Sequence, residues 1–298
     1  MKSGLESKWG ISRFLQARDY RRAATNALRF ANAVSDRVQN PGRASAESYF
    51  APGAGTSGAS CQFGFGISDP RCLPGSDPAF DRVISVAKPL YRSYLCCNDA
   101  FPTPSKKDEW AAIVWCEASV RTGKYPGPLF RAEWFTVNSM SLLSEMKTKL
   151  RHAVETLYEF NPNQTPGSIS YNIAHANELL TKMAFIYREH NSSRNPLHKY
   201  QHPIIQKAIN IMWFKHKNDD GMTSQEHFSP IPIPALALVL TVTQCCIDEW
   251  TDGTRKGSSW DEERFKAVYR SHLEPLSQIH EGGDPLEEIR RDLLRNAR

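Results

Sequence analysis

Apolar residues recur three or four positions apart over most of the chain after residue 77, which is the period of an amphipathic α-helix. This pattern predicts helices at about 80–95, 105–122, 137–160, 173–187, 204–217, 235–250, 259–276 and 285–295. No stretch alternates apolar and polar residues between hairpin turns, and no repeat of about 20–50 residues is visible. The sequence therefore predicts an all-α protein, with a single multi-helix globular domain at 77–280 and a charged C-terminal helix within 281–298.

Proline, glycine and capping residues mark the ends of several predicted helices. Pro89 predicts a kink or a break in the first helix, because proline lacks a backbone donor. The motif Ser105-x-x-Asp108 resembles a capping box at the start of the second helix, and Gly123 is its predicted stop. A true capping-box pattern, Ser259-x-x-Glu262, opens the helix that precedes the C-terminal one.

The clearest helical stripe follows the turn-forming segment 161–167. It consists of residues separated by alternating steps of three and four positions: Ile173, Ala176, Leu180, Met183 and Tyr187. This spacing predicts a continuous amphipathic helix with those five side chains on its buried face.

Residues 228–247 read FSPIPIPALALVLTVTQCCI and contain no charge. Pro230, Pro232 and Pro234 occupy alternate positions, so the helix can begin only near Pro234. About 13 residues then remain before the next charges, which is too short to cross a bilayer of roughly 30 Å. We interpret this segment as a central buried helix rather than a membrane span.

The N-terminal quarter of the chain differs from the rest. An amphipathic stripe predicts a helix within residues 1–40, with Leu5, Trp9, Phe14 and Leu15 among its apolar positions. Residues 41–76 are dominated by Gly, Ser, Pro and Ala, which predicts a flexible linker. Because the apolar stripe of the first helix must bury against something, self-association through that helix is one of the interactions we expect.

The formal net charge of +5 is concentrated at this end of the chain. Residues 1–60 contain nine of the 37 Lys and Arg residues and four of the 32 acidic ones, which leaves 28 of each in residues 61–298. A basic arm on a neutral body is compatible with an acidic partner such as nucleic acid or a membrane surface. A solvated helix that happens to contain arginine would give the same pattern.

Composition and cysteine usage exclude several classes of protein. With 298 residues, 40% of them hydrophobic and 23% charged, the chain is neither a small disulfide scaffold nor collagenous nor wholly disordered. Its seven cysteines include two adjacent pairs and no C-x-x-C motif, which argues against a disulfide framework and a zinc site. With no secretory signal visible, we expect reduced cysteines in an intracellular protein, cytoplasmic or nuclear.

The sequence indicates no catalytic, cofactor-binding or metal-binding residue. His198 and His202 are four apart, but Pro203 places a helix start directly after His202, so we expect loop histidines rather than a metal pair. Asp248 and Glu249 are adjacent and must point in different directions. The tryptophans could stack on nucleic-acid bases, but their helical spacing favours core positions for most of them: Trp110, Trp115, Trp134, Trp213, Trp250 and Trp260.

A family resemblance covers roughly residues 77–280. Its most specific part is the proline-spaced run HFSPIPIPALALVLTVTQCCIDEWTDG, and the pieces HPIIQKAINIMWF, FKAVYRSHLEPL and YRSYLCCNDAFPTPSKKDEWAAIVWCEA carry it further. Together they resemble the domain of unknown function 6532, a family of mushroom-forming (basidiomycete) fungi. The resemblance implies a fungal, intracellular, predominantly helical domain, and it brings no site residue with it.

Three functions remain open from the sequence. We favour a non-enzymatic interaction or regulatory module, because no catalytic constellation is visible and a fold alone does not define an activity. A nucleic-acid-associated protein that uses its basic arm is the first alternative. The second is an enzyme assembled from distant residues, which would need a pocket with convergent titratable groups, with His198, His202 and Asp248 as candidates.

Overall fold

The structure is a computed structural model, and it describes residues 78–124, 133–189, 195–257, 262–281 and 285–297. The predicted basic helix at 1–40, the predicted linker at 41–76 and Ser259 of the predicted capping box lie outside these residues. The described residues are α-helical with short 3₁₀ and π segments, and they contain no β-strand, so the predicted all-α class is confirmed for them. The α-helices of the described residues are α1 Pro78–Cys97, α2 Pro104–Thr122, α3 Glu133–Leu157, α4 Pro166–Leu180, α5 Pro203–Ile209, α6 Asp220–Thr223, α7 Ile233–Asp248, α8 Glu262–Glu281 and α9 Pro285–Arg295.

The described residues belong to two compact units. One contains residues 78–87 and 112–124, and the other contains residues 88–111 and everything described from 133 onwards. In the first unit, Phe80 of α1 packs against Trp115 of α2, with ring centroids 5.5 Å apart. The second unit contains two largely buried ionic clusters and a surface cleft.

The core of the second unit is built around α7. This helix begins at Ile233, with Pro234 in its first turn, where the missing backbone donor costs nothing. Nearly every residue from Ile233 to Ile247 is buried, which explains why the sequence shows no polar face there. Helices α3, α4, α5 and α8 all pack against it. The prediction of a central buried helix is confirmed.

The structure decides one open prediction for the first helix and corrects one for the second. Pro89 predicts a kink or a break, and helix α1 continues through Pro89 to Cys97, so it is not broken there. Helix α2 begins at Pro104, and the side chain of Thr103 accepts a hydrogen bond from the Lys106 amide. Thr103 therefore caps this helix in place of the predicted Ser105 box. The predicted stop is correct, because Gly123 has a φ of +64°, which glycine adopts without strain.

The predicted continuous helix over 173–187 is wrong at both ends. Helix α4 begins at Pro166, with Thr165 as its cap, and ends at Leu180. A 3₁₀ segment, Thr181–Ile186, follows, and Lys182 and Met183 in it have left-handed backbones.

The buried side of α4 also differs from the predicted stripe. It is formed by Asn172, Ala176 and Leu179, while Ile173 is 36% exposed. After the helix, Ala184, Phe185 and Ile186 are all buried. The left-handed backbones of Lys182 and Met183 end the helical register, so the side chains that follow them do not continue the predicted stripe.

Helix α5 begins as predicted, with Pro203 in its first turn and His202 as the N-cap residue outside it. After Ile209 it widens into a π-helical turn, Asn210–Phe214, with Met212, Trp213 and Phe214 buried. Gly221 lies so close that an added Cβ would be 2.6 Å from the Trp213 carbonyl oxygen. The short helix α6 therefore packs backbone to backbone against this turn.

Helices α8 and α9 complete the unit. The apolar spacing of α8 predicts an inward face of six residues; Phe265, Tyr269, His272 and Leu276 of this face are buried, whereas Val268 and Leu273 are half-buried. Helix α9 spans the predicted residues, and it packs on α8. Its position is fixed by two hydrogen bonds to backbone carbonyls: Arg290 donates to Ile231 at 2.6 Å, and Gln206 donates to Leu293 at 3.0 Å.

Candidate functional site

Three charged side chains form a buried ion cluster where α7 ends. We call Lys147, Arg151 and Glu249 the Glu249 cluster. The Glu249 carboxylate is fully buried and accepts hydrogen bonds from Arg151 Nε at 2.9 Å and Arg151 Nη2 at 2.7 Å. Lys147 Nζ lies 2.8 Å from the same carboxylate and is itself almost fully buried. Both cations lie on one face of α3, four residues apart, so the cluster ties α3 to the end of α7.

The charges around Glu249 determine its protonation. Burial alone would raise its pKa, but hydrogen bonds and charges from Arg151 and Lys147 outweigh burial and hold the pKa below its usual value. The neighbouring Asp248 points elsewhere and pairs with Arg264 at 3.0 Å. Adjacent acids with different partners confirm the predicted divergence. Glu249 is therefore an ionised structural anchor and not a general base.

A second ionic group connects α1 with α3 and α6. Arg92 donates to Glu145 at 3.0 Å and to Asp220 at 3.1 Å. Burial raises the pKa of Asp220, although the Arg92 charge opposes that shift. Because each carboxylate is held by the same guanidinium, this group joins three helices in a fixed arrangement.

His272 is a buried histidine that holds no charge near neutral pH. Its Nε2 lies 2.8 Å from the Gln244 side-chain oxygen, and its ring meets the edge of Phe185. Burial lowers its pKa to about 4. The histidine is therefore a neutral core residue that links α8 to α7.

The described cysteines are free thiols: Cys96, Cys97, Cys116, Cys245 and Cys246. Burial raises the pKa of Cys96 to about 12 and that of Cys245 to about 12, and it raises the pKa of the other three as well. A thiol acts as a nucleophile only as its thiolate. The structure therefore agrees with the prediction that cysteine serves here as a small apolar residue.

The two histidines considered for a metal have separate roles. His198 lies in the 3₁₀ segment Pro196–His198, and its Nδ1 is 2.8 Å from the Glu189 carboxylate. His202 accepts a hydrogen bond at Nδ1 from the Ile204 amide and so caps α5. In the parts of the chain that the structure covers, no group of three or more His, Cys, Asp or Glu side chains could hold a metal ion.

His202 does line a surface cleft, which is the candidate functional site. The cleft has a volume of about 340 Å³ and lies between the start of α5 and one side of α9. One wall is formed by Arg188 and by residues near the start of α5: Tyr200, Gln201, His202, Pro203 and Gln206. The other wall is formed by Glu288, Ile289, Asp292, Leu293 and Asn296. His198 and Asp248, the other candidates for a titratable pocket, are not among the residues that line it.

The first wall of the cleft is held rigidly. His202 is 4% exposed, and its ring stacks on Tyr158 with centroids 4.4 Å apart. Tyr158 in turn donates from its hydroxyl to the Phe185 carbonyl at 2.7 Å. Tyr200 has a φ of 62°, a left-handed conformation that is uncommon for a non-glycine residue and that persists only where the surroundings impose it. Such strain is concentrated at functional sites in proteins.

The second wall is a polar stripe on α9. Glu288 and Asp292 are four residues apart and therefore share one helix face. Asn296 extends that face by one turn, because its amide bonds to the Asp292 carbonyl at 2.9 Å. Ile289 and Leu293 form the apolar strip beside it.

Sequence reasoning identified one of the residues in this cleft and missed the others. The two four-residue steps through Glu288, Asp292 and Asn296 could have indicated a polar face. Nothing in the sequence says which helix that face meets. Arg188 and Gln201 have no local signal. The prediction of core positions for most tryptophans is confirmed for Trp115, Trp213 and Trp250, which are at most 2% exposed, whereas Trp110 is half-buried. Trp134 and Trp260 cannot be compared, because their side chains lie outside the described residues.

No helix among the described residues is long and apolar enough to span a membrane, in agreement with the interpretation of residues 228–247. A comparison with protein families finds that the family described as "Domain of unknown function (DUF6532)" matches residues 86–279. Neither a curated protein nor a solved structure matches the chain. Because the family match covers nearly two-thirds of the 298 residues, the chain belongs to the DUF6532 family.

Proposed function

We propose that this protein acts by binding, as a non-enzymatic interaction or regulatory module, and that the cleft between α5 and α9 is its binding surface. The observation that supports this most directly is that buried charged groups have protein partners, whereas polar groups in the cleft face solvent. The buried carboxylates described above, Glu249 and Asp220, are each paired with cations of the same unit, whereas the cleft presents polar side chains from two walls to solvent. Clefts of this kind are the usual places where small ligands bind.

The chemistry of the interior also favours binding over catalysis. The described thiols stay protonated at neutral pH, and the Glu249 carboxylate is neutralised by two cations. An active site needs a nucleophile or a base within reach of its substrate. The free thiols also support our proposal that the protein works inside the cell, where cysteines stay reduced.

The test is a comparison of retained molecules between matched variants. Asn296→Trp places a large side chain in the cleft, and Asn177→Trp makes the same change at an exposed position of α4. Each immobilised protein is exposed to a lysate of the source cells, and retained proteins and small molecules are quantified by mass spectrometry. We expect at least one molecule to be retained by the wild type and by Asn177→Trp but not by Asn296→Trp. Equal retention by all three proteins would overturn the proposal.

A second candidate function rests on the charge distribution. The entire net charge of +5 is accounted for by residues 1–60, so a nucleic acid could be bound through phosphate contacts made by this arm. This candidate does not use the cleft, and the two functions can therefore be tested separately.

A further inference from the structure

The two walls of the cleft carry charges of opposite sign. On the first wall, Arg188 Nη2 donates to the Gln201 side-chain oxygen at 2.6 Å, and no described carboxylate lies within ion-pair distance of its guanidinium. On the second wall, Glu288 is exposed and has no cationic partner among the described side chains. Asp292, one turn further along α9, pairs with Arg295 at 2.8 Å, and both side chains of this pair are exposed to solvent. The cleft thus has a cation on one wall and two carboxylates on the other, and no ion pair of the described residues joins the two walls.

This separation selects for a particular kind of ligand. A guanidinium binds a carboxylate through two parallel hydrogen bonds, and a carboxylate binds an ammonium group through charge-assisted ones. A ligand with both groups would satisfy both walls. A ligand with a single charge would satisfy one wall and leave the other without a partner.

The dimensions of the cleft limit the size of the ligand. Its volume of about 340 Å³ lies near the lower limit of small-molecule sites. A folded partner would need roughly 800 Å² of contact on each side, which the eleven residues that line the cleft do not supply by themselves. Gln201, Gln206 and Asn296 also line the cleft, and the side-chain amide of Asn296 suits a ligand with a peptide-like centre.

We propose that the cleft binds a small zwitterion of about dipeptide size, with its carboxylate on Arg188 and its ammonium group on Glu288 and Asp292. This inference rests on the proposed binding function and names the ligand class. The ammonium side of the site comes from α9, which begins at Pro285 and so lies beyond the family match at 86–279. The acidic half of the site is thus contributed by residues outside the matched domain.

The probes are the free oligoglycines from glycine to tetraglycine, which carry the same two charges at increasing separation. Binding to the full chain is followed by titration in two-dimensional amide NMR. We expect one length to bind best, with shifts that saturate in the millimolar range. Acetylating the amine or amidating the carboxylate of that peptide removes one charge and should weaken binding about tenfold or more. If both blocked forms bind as well as the free peptide, the zwitterion proposal is wrong.

Side-chain variants locate the probe. Arg188→Gln should remove the preference for a free carboxylate, and Glu288→Gln with Asp292→Asn should remove the preference for a free amine. The controls Glu287→Gln and Arg291→Gln change charges on α9 that do not line the cleft, and they should bind like the wild type. Equal binding by the Arg188 variant would place the probe elsewhere and overturn the inference.

The same two charges could come from a free small molecule or from the side chains of a peptide segment. Acetyl-Lys-Glu-amide, which has charged side chains and blocked termini, distinguishes these two sources. We expect it to bind more weakly than the best free peptide, because our proposal is a free small molecule. Stronger binding of the blocked peptide would overturn that choice of source. Failure of every probe up to about 10 mM would overturn the ligand class, while the proposed function would still be decided by the Asn296→Trp comparison.

Discussion

Lys147 and Glu249 form an ion pair of 2.8 Å in which neither side chain is more than 2% exposed. Arg151 adds a second cation to Glu249 from the solvent side, with its side chain 33% exposed. Lys147 also lies over the Phe265 ring, 5.7 Å from the centroid, so the pair connects α3, α7 and α8. Since these helices surround the core of the second unit, the cluster fixes their arrangement at one end of α7.

Breaking this pair should destabilise the fold strongly. Removing one partner of a buried ion pair leaves the other charge uncompensated, which typically costs about 3–5 kcal/mol. We therefore expect Glu249→Gln, which removes the counter-charge of the buried Lys147, to lower the free energy of unfolding by about that amount, measured by urea denaturation. Lys147→Met should cost less, because Arg151 still pairs with Glu249. The matched control is Lys256→Met, which removes the exposed pair with Asp252 and should cost less than about 1 kcal/mol. Equal losses for the buried and exposed pairs would show that the Glu249 cluster does not anchor the helices.

His272 should make the protein sensitive to mild acid. The unfolded histidine takes up a proton below its ordinary pKa of 6.5, whereas the folded one stays neutral down to about 4. The stability that the neutral form contributes is therefore present above about pH 6.5 and is lost as the pH falls towards 4. For a shift of this size the loss amounts to about 3 kcal/mol.

The variant His272→Gln tests this pH dependence, because glutamine does not titrate. Between pH 7 and pH 4 its free energy of unfolding should fall by about 3 kcal/mol less than that of the wild type. His216 is exposed, and His216→Gln should follow the wild type over the same range. Parallel pH profiles for His272→Gln and the wild type would contradict the prediction.

Gly253 should not tolerate a side chain. Its φ is +82°, and an added Cβ would lie 2.6 Å from the Ile169 carbonyl oxygen. Its own carbonyl accepts a hydrogen bond from the buried Asn172 side chain at 2.8 Å, so the turn cannot easily shift. We expect Gly253→Ala to lower the melting temperature by an amount equivalent to about 2 kcal/mol or more.

The control for that substitution lies in the adjoining helix. Gly167 is in the first turn of α4, and an added Cβ would meet no atom within 4 Å. Gly167→Ala should therefore leave stability unchanged or raise it by up to about 1 kcal/mol. A melting temperature for Gly253→Ala within a degree of the wild type would show that this close approach is relaxed in solution.

Local signals in the sequence predicted the fold where a helix end is decided locally. Pro203 and Gly123 act through their own backbones, and both mark the predicted boundaries. The prediction failed after Leu180 because the stripe through Met183 has the same spacing whether the helix continues or not. The burial of Phe185 and its two neighbours depends on tertiary packing, which spacing along the chain does not contain. Likewise, α1 continues through Pro89, although proline lacks the backbone donor that an interior helix position uses.

The cleft was less predictable than the fold. His202 was singled out because of its spacing from His198, yet its partner in the structure is Tyr158, 44 positions away. Arg188 and Glu288 line one cleft across about a hundred residues of chain, and no periodicity connects them. Spacing along a sequence identifies faces of helices, whereas sites between helices depend on which faces meet.

The basic arm should determine any affinity for nucleic acid. Because residues 61–298 carry equal numbers of bases and acids, deleting residues 1–60 removes the whole net charge of +5. If the arm binds phosphates, the full chain should be retained on a duplex DNA column at about 50 mM salt and released by about 200 mM. The truncated chain should pass through at both salt concentrations.

A control with Arg13, Arg18, Arg21 and Arg22 changed to Gln keeps the arm and removes part of its charge, so its elution should shift to lower salt. Equal retention of the full and truncated chains would exclude the arm as the nucleic-acid-binding element, because the electrostatic attraction would then have to come from a body with no net charge.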